Sequence, residues 1–231
     1  MKKYELTAEF IEKLGKKLFR IKALISFGSV EAGELGGYVE KEDNLAQDGD
    51  AWVYGNARVY GNAEVYGNAR VCDDAWVYGN ARVYDDAWVY GDARVYGNAE
   101  VYGDARVYGN ARVCDDAWVY GNAWVCGNAW VCDDAWVYGN AWVCGNADYL
   151  LIGRIGSRFS FTTFFKNKDK GITVSCGCFL GTIAEFRAKV TDTHGNNKHA
   201  KMYNLAADMA ELQILGEEHF DKLNTNKSEP F

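Results

Sequence analysis

Ala51 to Asn146 reads AWVYGN, ARVYGN, AEVYGN, ARVCDD and onward to AWVCGN, sixteen consecutive hexads with alanine always first and valine always third. The second slot takes only Trp, Arg or Glu, the fourth Tyr or Cys, the fifth Gly or Asp, and the sixth Asn or Asp. Small or branched apolar residues alternating with large ones over four positions have the period of a β-strand, with Ala and Val turned inward and slots two and four outward. A helix is excluded, because the paired turn residues would break each turn of it. Strands this short bury nothing alone, so the hexads must stack coil on coil, each covering the Val and Ala of the last. Asn and Asp at the corners are expected to take the left-handed backbone of a sharp turn, with glycine beside them relieving crowding. Three hexads per coil gives a three-sided rod of about five to six coils, each about 18 residues long, and roughly 25 Å tall at the strand spacing of about 4.8 Å.

Composition fits an ordered, turn-dense chain. The 231 residues carry 25 glycines and 15% aromatics but a single proline, Pro230, whereas glycine-rich disorder brings many prolines and few aromatics. A net charge of −7 argues against direct nucleic-acid or acidic-membrane binding and favours a basic partner. The opening MKKYELTAEF lacks the apolar core of a signal peptide, and no stretch approaches the ~20 apolar residues of a membrane span, so a cytoplasmic protein is expected. The seven cysteines are an odd number, recur mostly with the repeat, and read as free thiols. No cofactor or metal is expected.

Stacking every eighteenth residue sorts the variable slot into three outward columns. One runs Trp52, Arg70, Trp88, Arg106, Trp124, Trp142; the second Arg58, Trp76, Arg94, Arg112, Trp130; the third Glu64, Arg82, Glu100, Trp118, Trp136. Vertical neighbours are thus often Trp over Arg, or Glu over Arg over Glu, the pairing of cation–π and ion-pair ladders. Such ladders also serve merely to stiffen a rod. The last third gathers Trp118, Trp124, Trp130, Trp136 and Trp142 with Tyr120 and Tyr138, an apolar surface expected to be covered by the C-terminal segment, a second copy or a partner. Together with Arg94, Arg106 and Arg112 these form the candidate aromatic and cationic binding face. At the corners Asp74 stacks on Asp92, Asp86 on Asp104 and Asp116 on Asp134. Paired carboxylates repel or share a cation, and rows of them can occupy a basic channel, although Asp at a tolerant turn also needs no function. Cys114 lies over Cys132 and Cys126 over Cys144, so a disulfide is geometrically open but not expected in a reducing cytosol.

The histidines, His194, His199 and His219, all lie beyond the rod, and no coil is interrupted by an inserted loop. Acyl-transfer chemistry with a histidine base is therefore the weakest reading. Cys176 and Cys178 in SCGC supply two ligands, too few for a zinc sphere. The flanks read as caps for the rod's open ends: residues 1–44 before a solenoid spanning 45–147, an α+β domain over 148–215, and a flexible tail over 216–231. Lys17 to Leu24, Tyr149 to Ile155, Phe159 to Phe165 and Ile172 to Ser175 read as strands. Thr182 with Glu185 makes a capping box opening a helix through about Val190, and a second helix runs from Lys198 to Leu215.

The rod resembles the left-handed β-helix of hexapeptide-repeat proteins, in which an aliphatic residue and a small one four places on point inward, as do Val53 and Ala57. Handedness is implied by that resemblance; Tyr or Cys after the aliphatic is a departure from it. With LFRIKAL, GELGGYVEKEDNLAQDGDAWVYGNA, IGSRFSFTTFF, VSCGCFLGTIAEF and THGNNKHAKMY, the chain as a whole resembles phage and prophage-encoded hexapeptide-repeat proteins. The resemblance implies a viral protein in a bacterial cytoplasm, with a host-modulating or anti-defence role. The expected function is non-enzymatic binding, with a host protein, such as a nucleic-acid-binding defence component, as partner and with self-association. Assembly of a virion component and capture of a small nucleotide by stacked Trp and Arg are the alternatives.

Overall fold

The computed structural model describes residues 2–218, so His219 and most of the expected tail lie outside the described residues. The chain runs through β1 (Tyr4–Lys13), β2 (Lys16–Ala23) and β3 (Leu35–Val39), then sixteen two-residue rod strands from β4 (Trp52–Val53) to β19 (Trp142–Val143). After the rod come β20 (Tyr149–Ile155), β21 (Ser160–Lys166), β22 (Ile172–Cys176), β23 (Phe179–Thr182), α1 (Ile183–His194) and α2 (Lys198–Leu215).

The rod is a three-sided parallel β-solenoid. Its strands fall into three sheets, and pairing always joins residues eighteen apart, as Trp52 with Arg70, Arg58 with Trp76 and Glu64 with Arg82. Every hexad Ala and Val is buried, at no more than 1% exposure, so the sixteen copies make one continuous core. The left-handed corner residue is the fifth slot, not the sixth. Asp73, Asp85, Asp115 and Asp133 have φ of 60°, 54°, 57° and 59°, and the glycines of that slot match them except Gly145 at −145°. The reason is contact between laps: a Cβ on Gly97 would sit 2.7 Å from the Asp115 nitrogen one coil on, while φ there is +75°. Asparagine in the sixth slot contributes its side chain instead. Asn62 Nδ2 donates to Asn80 Oδ1 at 3.2 Å, Asn80 to Asn98 at 3.0 Å, and Asn98 to Asp116 at 3.0 Å, an amide ladder ending on a carboxylate.

The N-terminal end is closed by an antiparallel β1–β2 hairpin that continues through β3 into one rod sheet, where Val39 pairs with Val59. Strand β1 is absent from the sequence reading although Tyr4, Leu6, Ala8 and Phe10 alternate with Glu5, Thr7 and Glu9; pairing with β2 holds it. Tyr4 and Phe27 pack edge-on against Trp52, at ring separations of 6.0 and 5.4 Å, and bury it completely. Lys3, 2% exposed, places Nζ against the carbonyls of Asp48, Gly49 and Ala51 at 3.1, 3.3 and 3.0 Å. Burial pulls its pKa down to about 8, against the pull of Asp48 and Asp50.

At the other end β20 to β23 form an antiparallel sheet laid across the last core layer. Successive phenylalanines of β21 point opposite ways, Phe165 into the rod core and Phe164 into a second core under α1 and α2, and both are fully buried. Tyr149 and Leu151 face the rod, while Leu150, Ile152, Ile172 and Val174 face the helices. Thr182 and Glu185 cap α1 reciprocally, and the helix continues past the expected Val190 to His194. Strand β23, too short for a pattern, is an addition to the sequence reading. Among the described residues no helix is long and apolar enough to cross a membrane.

Candidate functional site

Because each lap returns to the same side after eighteen residues, the outward columns are those read from the sequence. Arg106 sits between Trp88 and Trp124, 5.4 and 5.2 Å from their ring centres; Arg94 lies 5.4 Å from Trp76 and Arg112 5.5 Å from Trp130. On the third side Arg82 bridges Glu64 at 4.0 Å and Glu100 at 3.4 Å. Exposed pairs of this kind contribute about 0.5 to 1 kcal/mol each. Slot four builds columns of its own. Tyr66, Tyr84, Tyr102, Tyr120 and Tyr138 stack face to face at 4.8, 4.8, 4.9 and 4.6 Å, and the series ends on Phe165. On the other two sides cysteines take over in the last two laps.

The five late tryptophans do not share one face. Consecutive hexads fall on consecutive sides, so Trp130 lies on one, Trp118 and Trp136 on the next, and Trp124 and Trp142 on the third. They form a collar. Trp118 stacks on Trp136 at 5.3 Å, and Trp142 meets Trp124 edge-on at 6.3 Å. The C-terminal domain covers the collar only partly: Lys168 Nζ lies 4.7 Å from the Trp124 ring, and the Trp136 nitrogen donates to Thr163 Oγ1 at 3.4 Å. Trp130, Trp136 and Trp142 stay 45%, 39% and 40% exposed, which leaves an apolar ring open for contact. A groove lined by Asp134, Trp136, Phe161 and Ser175 runs beside it.

The expected acidic stacks occupy different corners: Asp74 and Asp92 share one, Asp86 and Asp104 a second, Asp116 and Asp134 the third, and all are exposed. Asp86 and Asp116 also serve as acceptors for Asn68 and Asn98 of the preceding lap, at 3.1 and 3.0 Å. The carboxylates therefore form three short patches rather than one long row. The corner of Asp133 and Asp134 lies between Trp130 and Trp136, so the collar carries acidic and aromatic groups together.

The expectation that all cysteines are free is overturned at one place. Cys126 and Cys144 are joined in a disulfide across one lap, with Cα atoms 4.3 Å apart, because in-register stacking brings the two thiols together. Cys72, Cys114, Cys132, Cys176 and Cys178 are free. Burial pushes the Cys72 and Cys132 thiols up to about 11 and raises Cys114 as well, so all three are protonated at neutral pH. Sequence reading names no metal ligand, yet ligand atoms of Cys114, Asp115 and Cys132 lie within 4.8 Å of one another. The signal is present in retrospect: the only VCDD hexads one lap apart are 113–116 and 131–134.

In the C-terminal domain, Arg158, Cys176, Cys178, Phe179, Lys189, His194 and Tyr203 line a cavity of about 410 Å³ under α1. His194 stacks on Tyr203 at 5.8 Å, Thr162 Oγ1 donates to Cys176 Sγ at 3.2 Å, and burial with Cys176 beside it raises Tyr203 to about 12. His199 also stands 5.8 Å from His194, its Nδ1 buried without a described partner. Two cations and three aromatic rings in one cavity fit a small anionic, planar ligand.

The family model described as YdcK beta solenoid repeat matches residues 51–65, 75–91, 87–103, 93–109, 99–115, 105–121 and 111–127. The chain carries a repeat β-solenoid. The matched segments end at 127, before Trp130, Trp136 and Trp142, so the exposed part of the collar lies beyond them. No curated protein matches the chain.

Proposed function

We propose that this protein is a non-enzymatic binding scaffold, whose rod holds the tryptophan collar for a partner protein. The observation that carries this reading is the exposure of Trp130, Trp136 and Trp142 around a rod whose every core position is filled. Buried tryptophans dominate binding energy at protein interfaces, and an apolar ring flanked by carboxylates fits a partner with an apolar pocket and a basic rim. The position of the histidines outside the rod supports a role without catalysis. The resemblance of the flanks to phage-encoded hexapeptide-repeat proteins supports a partner in a bacterial cytoplasm, and the exposed acidic corners support a nucleic-acid-binding component of a defence system. A second copy also fits the collar, so self-association competes with the partner for the same rings.

The C-terminal cavity favours a second reading, capture of a small nucleotide-like anion between Arg158, Lys189 and the rings of Phe179 and Tyr203. One experiment separates the readings. Tagged wild-type protein and a Trp130→Ala/Trp136→Ala/Trp142→Ala variant are recovered from phage-infected cells, and bound proteins and heat-released small molecules are identified by mass spectrometry. A basic host protein retained by the wild type and depleted at least about tenfold by the variant is the expected result. Identical protein partners for both chains would refute the collar, and a nucleotide released equally from both would shift the function to the cavity. Open-ended sedimentation of the purified protein would instead favour a virion component.

A further inference from the structure

The rod contains two vertical cysteine pairs, and they differ in one respect. Cys126 and Cys144 are followed by Gly127 and Gly145, and they are joined as a disulfide. Cys114 and Cys132 are followed by Asp115 and Asp133, and they remain free although they are stacked one lap apart in the same way. The lap fixes both backbones: the Cys114 nitrogen donates to the Val131 carbonyl at 3.0 Å. Asp115 and Asp133 both hold the left-handed corner conformation, which turns each carboxylate back beside its own cysteine; Asp133 Oδ2 is 3.7 Å from Cys132 Sγ.

We propose that Cys114, Cys132 and Asp115, with Asp133 as fourth ligand, form a site for a thiophilic divalent cation of the zinc class. Ligand atoms of the first three already lie within 4.8 Å of one another. Tetrahedral zinc–thiolate coordination at about 2.3 Å requires sulfurs roughly 3.8 Å apart, so small side-chain rotations suffice. Thiolates select soft cations over magnesium or calcium, and two carboxylates fill the remaining tetrahedral positions without a further protein ligand. The surroundings supply the supporting contacts that such sites use. Trp130 Nε1 donates to Cys114 Sγ at 3.0 Å, and the Tyr149 hydroxyl, 4.0 Å from Cys132 Sγ, is anchored on the Trp130 carbonyl at 2.7 Å. Cys114 is buried, whereas Cys132 and Asp133 border an open groove with Trp130, Asn146 and Tyr149, which gives the cation a way in. The site also ties the collar residue Trp130 to the C-terminal domain through Tyr149.

The test uses the full chain, reduced and stripped with a chelator, titrated first with cobalt(II) and then with zinc. A single equivalent of cobalt is expected to give a thiolate-to-metal charge-transfer band with tetrahedral visible bands, and zinc to abolish both. Cys132→Ser and Asp115→Asn should weaken binding at least about tenfold. Asparagine tolerates the same corner conformation, so the second variant keeps the fold. Cys72→Ser, from a VCDD hexad whose vertical neighbours are Tyr54 and Tyr90, should bind as the wild type does, as should Cys126→Ser/Cys144→Ser. Absence of the charge-transfer band in the wild type, its survival in Cys132→Ser, its loss in Cys126→Ser/Cys144→Ser, or quantitative recovery of a Cys114–Cys132 disulfide from cells would each overturn the site.

Discussion

Val95→Asp is expected to melt the rod from its middle. Val95 is fully buried and paired in register with Val77 above and Val113 below, with no polar group inside the core to receive a carboxylate. An uncompensated buried charge costs at least about 3 to 5 kcal/mol, a large part of the roughly 5 to 15 kcal/mol that keeps a domain folded. In a solenoid the damage spreads, because each lap is stable only when covered by its neighbours. Thermal unfolding followed by far-ultraviolet circular dichroism should show a large fall in midpoint or loss of the strand signal. Arg94→Ala, one residue away and facing water, loses only its contact with Trp76 and should cost about 1 kcal/mol or less. Comparable melting of the two variants would mean that Val95 and Arg94 do not point to opposite sides of the wall.

Trp52→Ala should be the most damaging of the tryptophan substitutions, at about 3 to 5 kcal/mol. Trp52 and Trp142 stand at the two ends of one column in equivalent slots, yet the first is sealed under Tyr4 and Phe27 while the second is 40% exposed. Removing Trp52 leaves a cavity between the N-terminal hairpin and the first lap. Trp142→Ala removes surface that water already reaches and should cost about 1 kcal/mol or less. Urea unfolding of the two variants side by side measures the difference. Equal losses would show that burial under the hairpin is not what separates them.

These paired comparisons mark where the sequence is a sufficient guide. Period two within the hexad and period eighteen between laps follow from Ala, Val and the corner residues alone, because a solenoid is built from contacts between identical neighbours. The capping box at Thr182 and Glu185 and the helix from Lys198 are likewise local, and local chemistry is what a sequence displays. Burial of Trp52 depends on Tyr4 and Phe27, 48 and 25 residues earlier, and nothing in the hexad distinguishes that indole from the others. Strand β1 is legible in Tyr4, Leu6, Ala8 and Phe10 alternating with Glu5, Thr7 and Glu9, whereas its place at the edge of a rod sheet is not, because that depends on β2 and β3. At the corners, the pattern suggests Asn or Asp as the left-handed residue, whereas close approach of successive laps gives that position to the Gly or Asp before it. For the candidate site, the residues of the collar are legible but its shape is not, since three hexads per lap send neighbouring tryptophans to different sides. The thiol–carboxylate cluster requires the lap length and the direction of the corner carboxylates together.

Columns, collar and thiol cluster all rest on a lap of eighteen residues. Cysteine cross-linking measures it most directly. Under mild oxidation, with disulfides mapped by mass spectrometry, Asn80→Cys/Asn98→Cys should cross-link rapidly, because the native side chains at these positions touch at 3.0 Å. Asn80→Cys/Asp104→Cys should not, because those residues stand at different corners. Preferential cross-linking of 80 with 104 would contradict the eighteen-residue lap and with it every surface described above.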